Sequence, residues 1–299
     1  MIKLVKRVED ASYITHNGTM HADEVFATAF LDFLFKDIKL IRVASIDSKL
    51  YSDKIIYDIG LGKYDHHQVD AKVRDNGIKY SSFGLLWQEF GKEYLKQEKV
   101  EDIDEVFDAM DKELIEGIDA IDNGVFPEIN AKYKVKTLSD VIKLFNPSIF
   151  TDEDYDKQFL KAVEFAKTIF QETLYNVEGK IKSKRVINKL INENDDKFYL
   201  ELDRYMPYED AIISNEKALN ILFVIYPSNR GGYAIKTIPK SKEDKTDRLL
   251  LPEKWAGLQN EELEHVTKIK GATFCHYNRF IATAKTRDAI LLMAKEALK

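Results

Sequence analysis

The chain has a single cysteine in 299 residues, Cys275. That excludes an intramolecular disulfide framework and fits a reducing interior. Glycine and proline are scarce, at 13 and 6, and no internal repeat or low-complexity linker breaks the sequence. No apolar run approaches the roughly 18–20 residues of a membrane span, so no membrane partner is expected. The first ten residues, Met1 to Asp10, are too short and too acidic for a signal or transit peptide, and a cytoplasmic location is expected. An excess of positive charge is missing too. Lys and Arg number 45 against 51 Asp and Glu, a formal charge of −6. This argues against a generally basic nucleic-acid-coating protein but leaves room for a local basic groove.

What is present is a composition of 44% hydrophobic and 32% charged residues, that of a globular α/β protein. The length suits two domains better than one core. A short strand at 11–15, a strongly apolar helix over about 23–36, and strands at 38–44 and 54–60 predict a parallel sheet with crossover connections. Helices are expected over 83–90, 102–120 and 137–145, with Ser81 and Ser82 available to cap the first. From 152 to about 184 apolar residues recur at helical spacing, so a long helix is expected there. The later part is richer in strands, at 198–202, 220–226 and 233–238, with further β structure over 273–284 and a closing helix at 287–298. Pro227 to Gly232 reads as a hairpin turn. The fold class is α/β, with domains at 1–185 and 186–299.

Acidic and imidazole side chains recur at element ends of the first domain: His16, His21 and Asp23; Asp58; His66 and His67; Asp119 and Asp122. The chain has only six histidines, and four lie in these clusters. Each member has a plainer reading. Asp23 and Glu24 suit a positive helix end, Asp122 before Asn123-Gly124 is a common turn acid, and Asp119 reads as a solvated helix residue or a partner behind the ligands. Taken together, mixed His and carboxylate ligands suit manganese, zinc or iron. Their number fits a pair of divalent ions about 3.5–4 Å apart. Asp58, on a strand end between two histidine groups, is the natural bridge. One of His66 and His67 is expected to ligate while the other donates to a phosphate or leaving group.

The ordered set H-N-G-T-M-H-A-D-E, D-I-G, Y-D-H-H-Q, S-S-F-G-L-L-W, I-D-A-I-D-N-G, R-G-G-Y-A-I-K-T-I-P and L-P-E-K-W-A-G-L covers nearly the whole chain. It resembles the melanocyte proliferating gene family of the DHH phosphoesterase superfamily. The resemblance implies a DHH-type parallel-sheet catalytic domain with flanking helices and two divalent cations, Mn²⁺ first and Mg²⁺ second, plus a smaller α+β substrate-binding domain. It matches His16 and Asp23 to the first metal motif, Asp58 to the bridging Asp, Asp65-His66-His67 to the name-giving triplet with His66 as the ligand, and Asp122 to the fourth motif. The superfamily more often reads His-x-x-x-Asp-x-Asp. Here His21 stands near the first Asp position with one extra residue, an imidazole ligand that would leave the site with one less negative charge.

In the later domain Arg230-Gly231-Gly232 suits an anion: glycines let backbone N–H groups approach and Arg supplies a fork. A hairpin turn explains the same glycines. In DHH proteins Gly-rich elements here hold substrate phosphate. His276 and Arg279, with Lys285 and Arg287 nearby, form a second candidate cluster, although related proteins read G-F-I-G-G where this chain has Arg279-Phe280-Ile281-Ala282-Thr283. Packing is favoured over base stacking for Trp255, and Cys275 reads as inert core. The resulting expectation is a metal-dependent phosphodiesterase, a 3′→5′ exonuclease on single-stranded RNA (or DNA) acting by two-metal hydrolysis, with His67, Asp58 and Arg230 in the chemistry. Its competitors are a hydrolase of small phosphates (pyrophosphate, nanoRNA or a cyclic dinucleotide) and a metal-stabilised nucleic-acid-binding protein without turnover.

Overall fold

Parallel strands organise the first part of the chain. In a computed structural model, which describes residues 1–194 and 198–299, β1 (Lys3–Leu4), β2 (Tyr13–His16), β3 (Lys39–Val43) and β4 (Ile55–Ile56) form one all-parallel sheet in the order β1-β3-β2-β4. The helix α1 (Ala22–Phe35) connects β2 to β3. It is buried along almost its whole length: apolar residues stand on every side, and Asp23, Glu24, Thr28 and Asp32 are buried among them. The strand expected over 54–60 stops at Ile56 because the backbone turns left-handed at Asp58 (φ 55°) and Gly60 (φ 83°). That ends the strand with Asp58 just beyond the carboxyl edge of the sheet. Such edges are where open α/β sheets take their ligands.

Next come α2 (Ser82–Gln97), α3 (Ile103–Met110), α4 (Glu116–Asp122), α5 (Leu138–Lys143) and α6 (Tyr155–Asn192). The single helix expected over 102–120 is instead α3 and α4 joined by a π-helical turn, Asp111–Ile115. Such turns insert a residue and rotate the face that follows. Phe26 and Phe30 of α1, Phe83 and Trp87 of α2 and Phe170 of α6 pack as one aromatic core, with Phe30 edge-on to Trp87 at 5.4 Å.

The chain divides into two units, Met1–Glu178 and Gly179–Lys299, and α6 contributes to both. In the second unit β5 (Tyr199–Glu201), α7 (Glu209–Ile213), β6 (Phe223–Pro227), β7 (Tyr233–Thr237), α8 (Asn260–Thr267), β8 (Ala272–Cys275), β9 (Ile281–Ala284) and α9 (Arg287–Ala297) follow in order. The sheet runs β5-β6-β7-β9-β8, with β5 parallel to β6 and the other pairs antiparallel. Trp255 is fully buried in its core, which supports the packing role. Burial pushes the Cys275 thiol up to about 11, so it is not a nucleophile at neutral pH. β1, α7 and α8 are elements that sequence periodicity did not reveal. Among the described residues, no helix is long and apolar enough to cross a membrane.

Candidate metal centre

The centre is assembled at the carboxyl edge of the parallel sheet, from the residues after β2, after β4 and at the end of α4. Its first stretch is pinned from both sides. Arg42 of β3, whose side chain is buried, donates to the carbonyls of His16 (3.1 Å) and Gly18 (3.0 Å) and pairs with Asp156 (2.9 Å). Asn146 brackets Met20, accepting from its N–H at 2.8 Å and donating to its carbonyl at 3.0 Å. His21 therefore arrives at the N-cap of α1 in a fixed place. The Glu24 carboxylate accepts the His21 backbone N–H, half of a capping box.

Three overlapping groups of possible ligands result: His16, His21, Glu24 and Asp58; Asp58, Asp65, His66 and His67; and His21, Asp23 and Asp122. Asp58 is shared by two of them, and so is His21. His16 Nε2 lies 3.2 Å from Asp58 Oδ2 and 3.4 Å from Glu24 Oε1. His66 Nε2 lies 2.9 Å from Asp122 Oδ2, and its Nδ1 lies 3.4 Å from Asp58 Oδ1. The structure thus brings His16, His21, Asp23, Asp58, His66, His67 and Asp122 to one place. Glu24 joins them, a residue that sequence reasoning left as a helix-end acid.

Four buried atoms here have no hydrogen-bond partner among the described residues: His16 Nε2, Asp23 Oδ1, Asp58 Oδ1 and His66 Nδ1. Buried polar groups are nearly always satisfied. Convergence of orphaned imidazole and carboxylate atoms fits a divalent cation of the manganese, zinc or iron type. The electrostatics agree. Burial raises the Asp23 carboxyl well above its ordinary range, and Asp58, Asp122 and Glu24 add to the rise. Burial and Glu24 likewise raise Asp58, although His16 opposes them. Burial works to lower His16, but Asp58 and Glu24 outweigh it and lift its pKa to about 10. Burial also works to lower His66, and Asp122 and Asp58 raise it instead.

A buried support lies behind the candidate ligands. Ser81 sits at the N-cap of α2, yet its hydroxyl donates to Asp119, and Ser82 donates to Asp23 at 2.7 Å. The serines expected to cap the helix thus hold two acids, and Asp119 caps α2 from outside by accepting the Gly84 N–H at 3.2 Å. Asp119 is fully buried, which removes its reading as a solvated helix residue. Burial lifts its carboxyl to about 7 against the pull of Arg74. Arg74 donates to Asp119 (2.7 Å) and in a fork to Asp111 (2.8 and 2.6 Å), and stacks on Tyr80. The π-helical turn lets Asp111 and Asp119 face one guanidinium. A Cβ on Gly84 would lie 1.9 Å from Asp119 Oδ2. Gly84→Ala is accordingly expected to destabilise the protein by about 1–3 kcal/mol, as overpacking does, seen as a lower Tm.

The site opens into a cavity of about 450 Å³ lined by His21, Asp58, His66, His67 and Asp122, with Lys79 and Lys143 also on its wall. His67 is the exposed member of the histidine pair. It stacks on His66 at 4.2 Å, and its Nδ1 lies 2.7 Å from Asp65 Oδ1. Asp65 is held below the usual carboxylate range despite its burial, because His67 and the N–H groups of His67 and Leu61 bond to it.

In the second unit Arg230, Gly231 and Gly232 line a depression of about 580 Å³ with Ser228, Thr283 and Lys285. Gly232 is required there, since a Cβ would lie 2.3 Å from the Ala284 carbonyl oxygen. His276 and Arg279 do not line it. His276 Nδ1 accepts the Asn278 N–H at 3.0 Å, and Arg279 reaches the Leu251 carbonyl at 3.4 Å. Arg279 itself turns the β8–β9 hairpin at φ 60°, a conformation that suits glycine. Arg287 forks onto Glu201 at 2.5 and 2.7 Å. The expected cluster therefore separates, and only Lys285 stands with Arg230.

A family model described as an uncharacterised protein family (UPF0160), MYG1_exonuc, matches residues 12–298. A MYG1 protein of Dictyostelium discoideum is 30% identical, over 97% of this chain and 97% of its own. The human MYG1 exonuclease is 29% identical over 95% of this chain and 85% of its own, and a MYG1 protein of Saccharomyces cerevisiae is 29% identical over 95% and 94%. No solved structure matches the chain significantly. With a model spanning nearly every residue and relatives aligned end to end, this chain belongs to the MYG1 exonuclease family.

Proposed function

We propose that the protein is a metal-dependent phosphodiesterase that removes nucleotides from the 3′ end of single-stranded RNA, with DNA as the second choice. The observation that carries this reading is the convergence of four orphaned, buried ligand atoms on His16, Asp23, Asp58 and His66, with Asp58 and His66 lining an open polar cavity. Relatives named exonuclease supply the bond class. His16, His21, Asp23, Asp58, His66 and Asp122 would hold two divalent cations, Mn²⁺ first and Mg²⁺ second, with Asp58 shared and Glu24 beside them. Such ions lower the pKa of water and neutralise charge on phosphoryl oxygens.

The chain's own groups do the rest. Asp65, charged and accepting from Nδ1–H, fixes the His67 ring so that Nε2 is turned away from the carboxylate and can donate to a phosphoryl oxygen. Lys79 and Lys143 give the cavity wall the positive charge that a phosphate needs, which the net charge of the chain does not provide. In the second unit Arg230, Gly231, Gly232 and Lys285 would take a further phosphate through backbone N–H groups and two cations. His276 and Arg279, held by their own turn, lose that role in this reading.

The test is end-labelled single-stranded RNA with Mn²⁺. A 5′ label is expected to give a ladder of shortening products and a 3′ label immediate release of labelled mononucleotide. Internal cuts, or the reverse pattern, would contradict an exonuclease of this polarity.

A further inference from the structure

The fold treats the two oxygens of the Asp23 carboxylate differently. Asp23 is fully buried in the first turn of α1. Its Oδ2 accepts the Ser82 hydroxyl at 2.7 Å, whereas its Oδ1 is buried with no hydrogen-bond partner among the described residues. Ser82 is itself fully buried, at the first position of α2 and 59 residues along the chain. Both ends of the bond are held. Phe26, one turn after Asp23, and Phe83, next to Ser82, pack ring against ring at 5.6 Å in the aromatic core.

A carboxylate needs such a hold to serve a cation in one fixed way. The last torsion of an Asp side chain is broad and nearly two-fold, so its two oxygens exchange places readily. Like charge from Asp58, Asp122 and Glu24 also presses on Asp23. A donor on one oxygen ends the exchange and leaves the other as the free ligand atom. That atom belongs to the group formed by His21, Asp23 and Asp122.

We infer that Ser82 is a positioning residue that sets metal choice: its hydroxyl occupies Asp23 Oδ2, so that Oδ1 alone is presented to the cation shared with His21 and Asp122. The inference rests on the reading of the cluster as a two-ion centre and extends it to selectivity. Carboxylates that offer one oxygen suit the six-coordinate sphere of Mn²⁺ or Mg²⁺. Ca²⁺ takes more oxygens, often both from one carboxylate, and the Ser82 bond works against that mode.

The experiment titrates the full, metal-free chain with Mn²⁺ by calorimetry and then displaces the bound Mn²⁺ with Ca²⁺. Ser82→Ala is expected to take up one of two Mn²⁺ ions about tenfold more weakly, the lower end of the cost of losing a bond behind a metal ligand. The other ion should bind as in wild type. The Ca²⁺ concentration that displaces half of the Mn²⁺ should fall. Melting curves in EDTA separate positioning from support, and Ser82→Ala should melt within about 4 °C of wild type, the scale of one hydrogen bond. Ser82→Thr keeps the hydroxyl and should restore both readings; if its methyl lowers the melting point in EDTA, the alanine variant decides alone. Wild-type Mn²⁺ uptake in Ser82→Ala would overturn the positioning role and leave the two-ion centre standing. So would equal weakening of Mn²⁺ and Ca²⁺ with a lower melting point in EDTA, the pattern of a purely structural bond. A wild-type chain that takes up no Mn²⁺ would overturn both.

Discussion

Asp58→Asn is expected to reduce Mn²⁺-supported RNA hydrolysis at least about a hundredfold, the scale for losing one group that stabilises charge in the transition state. The same change should raise the melting temperature of the metal-free protein. These opposite effects follow from one position. Asp58 is 4% exposed, faces His16, His66 and Glu24, and carries an orphaned oxygen. Its raised pKa means that the folded chain disfavours its charge. Asparagine keeps the shape and accepts the left-handed backbone at φ 55°. It removes the charge that a cation needs, while relieving repulsion in the protein that has none. Functional sites commonly set stability against activity in this way. Hydrolysis assays, with melting curves in EDTA, check both halves. A lower melting point together with retained turnover would count against a metal role for Asp58.

A group whose pKa is raised on folding stabilises the fold below its unfolded value and loses that contribution as pH climbs through the folded one. His16 moves from 6.5 to about 10, and His66 moves in the same direction. The metal-free protein should therefore lose stability between about pH 6.5 and 10. A cation must displace the same protons, so its affinity should rise over that interval. At a hundred times its dissociation constant, a bound ion stabilises by about 2.7 kcal/mol. Mn²⁺ should accordingly raise the melting temperature, and by more at pH 8.5 than at pH 6.5. Melting curves at both pH values, with Mn²⁺ and with EDTA, measure this directly. A Mn²⁺ shift that shrinks as pH rises would contradict the assignment of His16 and His66 as protonated in the metal-free state.

Much of this centre is legible in the sequence because its candidate ligands sit where element types change. His16 ends a strand, His21 and Asp23 open a helix, and Asp122 closes one just before Asn123-Gly124. Each junction leaves a local mark of turn or cap chemistry. Glu24 was harder to read, since an acid in the first helical turn has an ordinary explanation and its contact with His16 depends on where β2 ends. Asp119 was harder still. Its burial comes from Arg74, in a polar segment without periodicity, and from the π-helical turn, which adds a residue to the helix without any local signal. The S-S-F-G motif showed a helix start. That its serines serve Asp119 and Asp23, and its glycine makes room for Asp119, is a tertiary fact. In the second unit, Gly232 follows from a close approach to β9, while Lys285 joins Arg230 only through strand pairing. The hairpin at Pro227 to Gly232 was readable from its glycines, whereas the short strand β1 is too brief for any period to show.

If the buried histidines and carboxylates form a divalent-metal site, the metal-free chain binds Mn²⁺ at pH 8, and titration measures that binding. Calorimetry, with the electron paramagnetic resonance of bound Mn²⁺ read in parallel, is expected to give two ions per chain with a spin-coupled signal, and loss of that signal in Asp58→Asn. A wild-type chain that retains no Mn²⁺, or an Asp58→Asn chain that retains both coupled ions, would contradict such a site.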